Sequence, residues 1–214
     1  MRKPFAIFLD GGFIKHKLRS PGHPVDAARV QALIEEIKTH PHLRDMSLHR
    51  TYFYDARPLE IAVTRPDGEV IDFAKTDLAR YNKTLHAELE ELPFLSLRFG
   101  ELSMAGWQVG VRNGKGGKPV AFPRNIKVED LKANVQQKGV DMRIGLDMAS
   151  LTLKHHVGVI VLVTGDSDFI PAMKFARREG AQVILFTLGH GIKQGLVEHA
   201  DLVVREKAGF LPKN

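Results

Sequence analysis

The sequence predicts an α/β fold, a central parallel sheet with helices on both faces that also carries a basic β-hairpin flap. Three observations predict it. Short apolar runs lack polar alternation, as strands buried on both faces do. Segments with helical spacing alternate with those runs. After residue 106 the alternation gives way to a stretch rich in glycine, lysine and arginine.

The elements follow in order. FAIFL, residues 5–9, is a buried strand, and Asp10-Gly11-Gly12 reads as the turn at its carboxyl end. Pro24 to Thr39 places Val25, Ala28, Val30, Leu33, Ile34 and Ile37 close to helical spacing, with Pro41 just beyond. Leu48 to Tyr54 has the β-forming residues of a strand. Residues 57–68, with Pro58, Pro66 and Asp67-Gly68, read as loop. Thr76 to Leu92 is a helix stopped by Pro93, and Phe94 to Leu102 alternates as a strand. Two strand-like pieces within Trp107 to Phe122 flank Asn113-Gly114-Lys115-Gly116-Gly117, the signature of a hairpin. Val140 to Lys154 is a helix with Ile144, Met148 and Leu151 on one stripe. Val157 to Val163 is a second buried strand. Phe169 to Arg178 is a short helix capped by Gly180, and Ala181 to Phe186 is a third buried strand. A helix over Ile192 to His199 and a short strand over Asp201 to Val204 complete the pattern. One domain over 1–214 is expected, with the flap as an insertion at about 106–135.

Composition narrows the chemistry. The chain has 214 residues, 43% of them hydrophobic, and no cysteine. A disulfide framework, a thiolate zinc site and a cysteine nucleophile are excluded. The apolar start is broken by Asp10, so it reads as a first strand rather than a signal peptide. No apolar run approaches a membrane span, and a soluble cytoplasmic protein is expected. The formal net charge is +6, a weak pointer to a polyanionic partner. The excess is concentrated: between Gly106 and Val140 there are seven Lys or Arg against two acids.

Right-handed crossovers place the carboxyl ends of parallel strands along one edge, where open α/β sheets build their sites. Asp10 ends the first strand, Asp166 follows VIVLVTG, Asp168 enters the next helix, and Asp141 opens the helix before that strand. Four acids are thus directed to one volume. Two carboxylates ~4 Å apart repel by about 4 kcal/mol at an effective dielectric of ~20. Protons or a cation must relieve that. All-oxygen donors suit a hard divalent ion, Mg²⁺ or Mn²⁺, which activates water and polarises phosphoryl oxygens. Each acid also has a plainer reading. Asp10 is a turn residue, Asp141 and Asp168 are helix-dipole charges, and Ser167 is a cap for the turn. Asp147, six residues past Asp141, pairs with Arg143 at i, i+4.

The quoted stretches IFLDGGFI, QQKGVDMRIGLDMASL and VLVTGDSDFIPAMKFARREGAQVILF, followed by ADLVVRE, resemble in order and spacing the NYN domain, and more closely its LabA-like bacterial branch. The resemblance covers most of the chain and is weakest over 57–93. It implies a PIN-like fold and a metal-dependent ribonuclease site whose acidic cluster is Asp10, Asp141, Asp166 and Asp168, with Asp147 as an outer member and Lys138 beside it toward substrate phosphate. The chain departs from the family pattern at one point. Many such domains read Asp-Gly-x-Asn after the first strand, and here Phe13 stands at the Asn position.

RNA, single-stranded or structured, is the expected partner. Arg112, Lys115, Lys118 and Arg124 are the expected phosphate contacts, and the alternative is that they only solubilise the flap. Trp107 and Phe122 either stack bases or pack beneath the flap. His155-His156 suits a helix C-terminus rather than a ligand pair. His190 and Lys193 read as a solvated loop, with a phosphate contact as the alternative. An inactive or weakly active RNA-binding regulator of the same fold competes with the nuclease, and a nucleotide-sugar transferase is the third reading. A homo-oligomer is compatible with the sequence.

Overall fold

A computed structural model of the chain describes residues 2–20, 22–110 and 126–209. Seven strands form one sheet: β1 (Pro4–Asp10), β2 (Ser47–Ala56), β5 (Leu95–Val109), β6 (Leu131–Lys138), β7 (Val159–Val163), β8 (Gln182–Phe186) and β9 (Leu202–Val204). Two short strands, β3 (Ala62–Thr64) and β4 (Val70–Asp72), make a separate antiparallel ribbon. The helices are α1 (Gly11–Leu18), α2 (Ala27–Thr39), α3 (Asp77–Glu90), α4 (Val140–Leu153), α5 (Ile170–Arg178) and α6 (Gln194–Glu198).

The sheet order is β6-β5-β2-β1-β7-β8-β9. All neighbours are parallel except β5 and β6. From β1 the chain winds outward through β2 to β5, then returns to the other side of β1 and winds outward through β7, β8 and β9. The direction reverses between β1 and β7. In open α/β sheets that reversal opens a crevice at the strand carboxyl ends, here the ends carrying Asp10 and Asp166.

The lack of alternation in FAIFL has a packing cause. Phe5, Ile7 and Leu9 meet Ile14 and Leu18 of α1, Leu33 and Ile37 of α2 and Leu85 of α3 on one face. Ala6 and Phe8 meet Ile144 and Met148 of α4 and Met173 of α5 on the other. Each such large side chain contributes about 1.5–3 kcal/mol by leaving water. The helix–sheet–helix layering expected from the sequence is therefore present. Among the described residues no helix is long and apolar enough to cross a membrane.

Four local expectations need correction. Gly11-Gly12 is not an open turn but the start of α1. Asp10 caps that helix by accepting the Phe13 N–H at 3.1 Å. Two glycines disfavour a helix by about 1 kcal/mol each, which conceals it in the sequence; burial of Ile14 and Leu18 offsets the cost. Gly11 is required by space, because a Cβ there would fall 2.5 Å from the Tyr54 carbonyl oxygen. Within the expected loop 57–68 lies β3, paired with β4. The strand expected to end at Leu102 continues to Val109, and its antiparallel partner among the described residues is β6. A bulge between Met104 and Trp107, where Gly106 takes φ 96°, bends this ribbon. Finally, the last helix is only Gln194–Glu198, shorter than Ile192 to His199. The central hairpin residues, with Arg112, Lys115, Lys118, Phe122 and Arg124, lie outside the described residues.

Candidate active site

Asp10 is set by both neighbours of the switch point. Its Oδ1 accepts the Phe13 N–H at 3.1 Å, and its Oδ2 accepts the Thr164 hydroxyl at 2.8 Å. Thr164, fully buried just past β7, in turn accepts the Asp166 N–H at 3.1 Å. One hydroxyl thus locks the end of β1 to the turn that carries Asp166. Thr164 is absent from the sequence reading. The signal available was a hydroxyl residue two positions before an acid at a strand end.

Asp166 caps a single 3₁₀ turn, Ser167–Phe169, by accepting the Asp168 N–H at 2.9 Å. The cap is therefore Asp166 and not Ser167. Ser167 accepts a hydrogen bond from Lys193 at 3.0 Å instead, so Lys193 is tied to the acidic turn rather than freely solvated. Both Asp166 and Asp168 are exposed. Asp141 stands in the first turn of α4, also exposed. The chain reaches it from β6 through Gly139, whose φ of 78° makes the sharp strand-to-helix reversal. Lys138, exposed at the end of β6, lies three residues before it.

Electrostatics shows that the four acids share one neighbourhood. Burial, and next the charge of Asp166, hold the Asp10 carboxyl above its ordinary range, against opposing hydrogen bonds from Phe13 and Thr164. Asp141 is raised first by desolvation and then by the charges of Asp166, Asp10 and Asp168. The structure brings Asp10, Asp141, Asp166 and Asp168 within mutual influence across three chain segments.

Asp147 is engaged elsewhere. Its Oδ2 accepts the Tyr54 hydroxyl at 2.9 Å and Arg98 Nε at 3.1 Å, in place of the anticipated pairing with Arg143. The Tyr54 hydroxyl is raised in pKa by burial and by the Asp147 charge, so it remains a donor. This contact ties α4 to the sheet. His155 and His156 follow α4 and precede β7, at the opposite edge of the sheet from the acids. His156 stacks parallel to His49 there.

A second acid at the same sheet edge was not anticipated. Asp55, near the end of β2, is buried and receives Lys15 Nζ at 2.9 and 2.7 Å, with His86 Nε2 2.8 Å from its Oδ2. Lys15 also donates to Asn82 at 3.0 Å. A cavity of about 330 Å³ opens beside His86, between Arg57, Lys83 and Phe99.

The donor set can be tested against a divalent ion. Among the described residues, no three acids or histidines stand close enough to grip a metal together. Mg²⁺ is commonly held by one or two carboxylates, with waters filling its shell. The exposed Asp166 and Asp141 and the fixed Asp10 suit such a water-rich site. Among the described residues they have no cation partner, which gives them reason to attract one.

A mostly parallel sheet flanked by helices, with carboxylates at its switch point, fits the architecture of a PIN-like domain. The chain belongs to the NYN domain family, a PIN-like nuclease family, whose model matches residues 99–205. Asp141, Asp166 and Asp168 fall within that match and Asp10 outside it. An uncharacterized protein of Methanocaldococcus jannaschii is 32% identical over 66 residues, 31% of this chain. The chain covers 28% of that relative's length. A crystal structure of a protein of unknown function from Vibrio parahaemolyticus aligns with a TM-score of 0.49 at 16% identity, over 95% of this chain and 92% of that one.

Proposed function

We propose that the protein is a metal-dependent endoribonuclease acting on RNA, with Asp10, Asp141, Asp166 and Asp168 as its catalytic carboxylates and Mg²⁺ or Mn²⁺ as its metal. The observation that carries this reading is the mutual charge of these acids at the switch point, with no cation partner among the described residues. Asp10 and Asp166 would hold the ion, with Asp141 and Asp168 completing its surroundings through water. When bound, the ion neutralises charge, polarises a phosphoryl oxygen and supplies a hydroxide nucleophile. Thr164 fixes the Asp10 carboxylate so that its geometry is set before substrate arrives. In the metal-free protein burial and the neighbouring acids raise the Asp141 carboxyl, a repulsion that a bound cation would relieve. Lys138 and the flap residues Arg112, Lys115, Lys118 and Arg124 contact phosphates, a salt-sensitive contribution without sequence readout. Membership of the LabA-like branch and a cytoplasmic location are part of the same proposal.

Phe13 favours one second reading, an RNA-binding regulator without turnover, because the position usually held by Asn carries no polar side chain. Cleavage of single-stranded RNA in Mn²⁺ separates the two. The nuclease reading expects cleavage by the wild type and its loss in Asp166→Asn and Asp10→Asn at unchanged melting temperature. Retained cleavage in both variants overturns the site. Salt-sensitive binding without turnover at any metal concentration selects the regulator.

A further inference from the structure

A group of rings and cations borders the acids around Gly165. Phe13 lies in the first turn of α1, and its own N–H holds Asp10. Its half-buried ring rests on the core beneath α1 and meets the His190 ring edge-on, with centroids 5.7 Å apart at 68°. His190 is exposed on the loop after β8, where its N–H is held by the Thr187 carbonyl at 2.8 Å. Both rings lean over Gly165. A Cβ there would fall 2.4 Å from His190 Cδ2 and 3.0 Å from Phe13 Cε2. Gly165 stands between Thr164 and Asp166, the residues that fix the acidic crevice. The ring pair therefore lies against the residue that precedes Asp166.

Cations flank the rings. Lys17 Nζ is 5.9 Å from the Phe13 centroid, at the outer reach of a cation–π contact, so the ring is loosely covered. Lys193 reaches Ser167 from the other side. Carboxylates alone repel a polyanion. Positive side chains and an aromatic face beside them are what a single-stranded nucleic acid requires to approach.

We propose that Phe13, His190, Lys17 and Lys193 form a nucleotide subsite beside the acids, in which one base of single-stranded RNA stacks on Phe13 and the adjoining phosphate meets the lysines. The subsite rests on the nuclease reading and deepens it. On this view the departure at position 13 exchanges a polar positioning group for a stacking platform. His190 supports the ring edge, and Gly165 is the residue that leaves room for both rings over the acidic turn.

The test is binding of a fluorescein-labelled single-stranded RNA oligonucleotide by anisotropy, in an Asp166→Asn background so that nothing is cleaved. Phe13→Leu keeps an apolar side chain beneath α1 but removes the stacking face. It is expected to weaken binding about 5- to 100-fold, the range of one base–aromatic stack. Phe13→Trp is expected to restore it. Lys17→Gln is expected to weaken binding and lower its salt dependence by about one phosphate contact. Melting curves accompany each variant. If Phe13→Leu does not fold, Lys17→Gln and His190→Ala, at solvent-accessible positions, decide by the same loss or its absence. Unchanged affinity in the folded variants, with RNA cleavage by the wild type, overturns the subsite and leaves the nuclease standing. A wild type that neither binds nor cleaves RNA removes both.

Discussion

Asp10 and Asp55 close adjacent strands, and Asp10 is paired in register with Tyr54, the residue before Asp55. Their electrostatic fates are opposite. Asp55 is 3% exposed and surrounded by Lys15, His86 and, through Lys15, Asn82. Burial alone would raise its carboxyl, but the hydrogen bond with His86 and the charge of Lys15 bring it below the ordinary range. Asp10 faces Asp166 and is held above that range. An acid at the end of a buried strand thus has two stable resolutions. One takes an internal cation and becomes a tie between α1, β2 and α3. The other leaves charge uncompensated and keeps capacity for an external cation.

The contrast is broken most severely by removing charge from each side. Asp166→Asn is expected to reduce Mn²⁺-stimulated cleavage about 10²- to 10³-fold, the several kcal/mol that a metal supplies, while leaving the melting temperature unchanged or raised, since a repelling charge is gone. Asp55→Ala is expected to do the reverse. It strands Lys15 and His86 in a buried setting and costs about 3–5 kcal/mol of stability, read by denaturant unfolding. A stable Asp55→Ala protein would show that the internal tie is dispensable.

Stability against pH sharpens the same comparison. Asp55 has a lowered folded pKa, so its contribution is complete above the ordinary aspartate range and is lost as pH falls through its lower folded value. Asp10 and Asp141 have raised folded pKa values. Between the ordinary value and the raised one the folded state holds more protons, and stability falls as pH rises. Asp141→Asn is expected to remove its own share of that decline, leaving the share of Asp10, while the acid-side loss due to Asp55 persists. Unfolding midpoints measured from strongly acidic pH, below the ordinary aspartate value, up to neutral pH check both directions. The smallest effect is expected for Thr164→Val, about 1–3 kcal/mol for a buried partner lost to Asp10 and to the Asp166 N–H.

Much of this architecture is legible in the chain because β1, β7 and β8 are buried on both faces and therefore read as unbroken apolar runs. The four acids are legible because each follows or enters an element at a turn. Partners are not legible, since they come from distant segments. The sequence pattern TYFYD at Asp55 resembles FAIFLD at Asp10, and only the fold brings Lys15 and His86 to one of them. Likewise β6, with LKANVQQK largely exposed on a ribbon, offers no buried face to mark its period. Helix α1 is hidden by its two glycines, and Phe13 reads as a missing Asn until His190 is found against it.

Manganese-soaked crystals mapped by anomalous scattering test the acidic centre most directly. A peak enclosed by Asp10, Asp141, Asp166 and Asp168 in the wild type, and missing from Asp166→Asn, is the expected result. Manganese bound at other surfaces with none between these carboxylates would contradict a metal centre at the switch point.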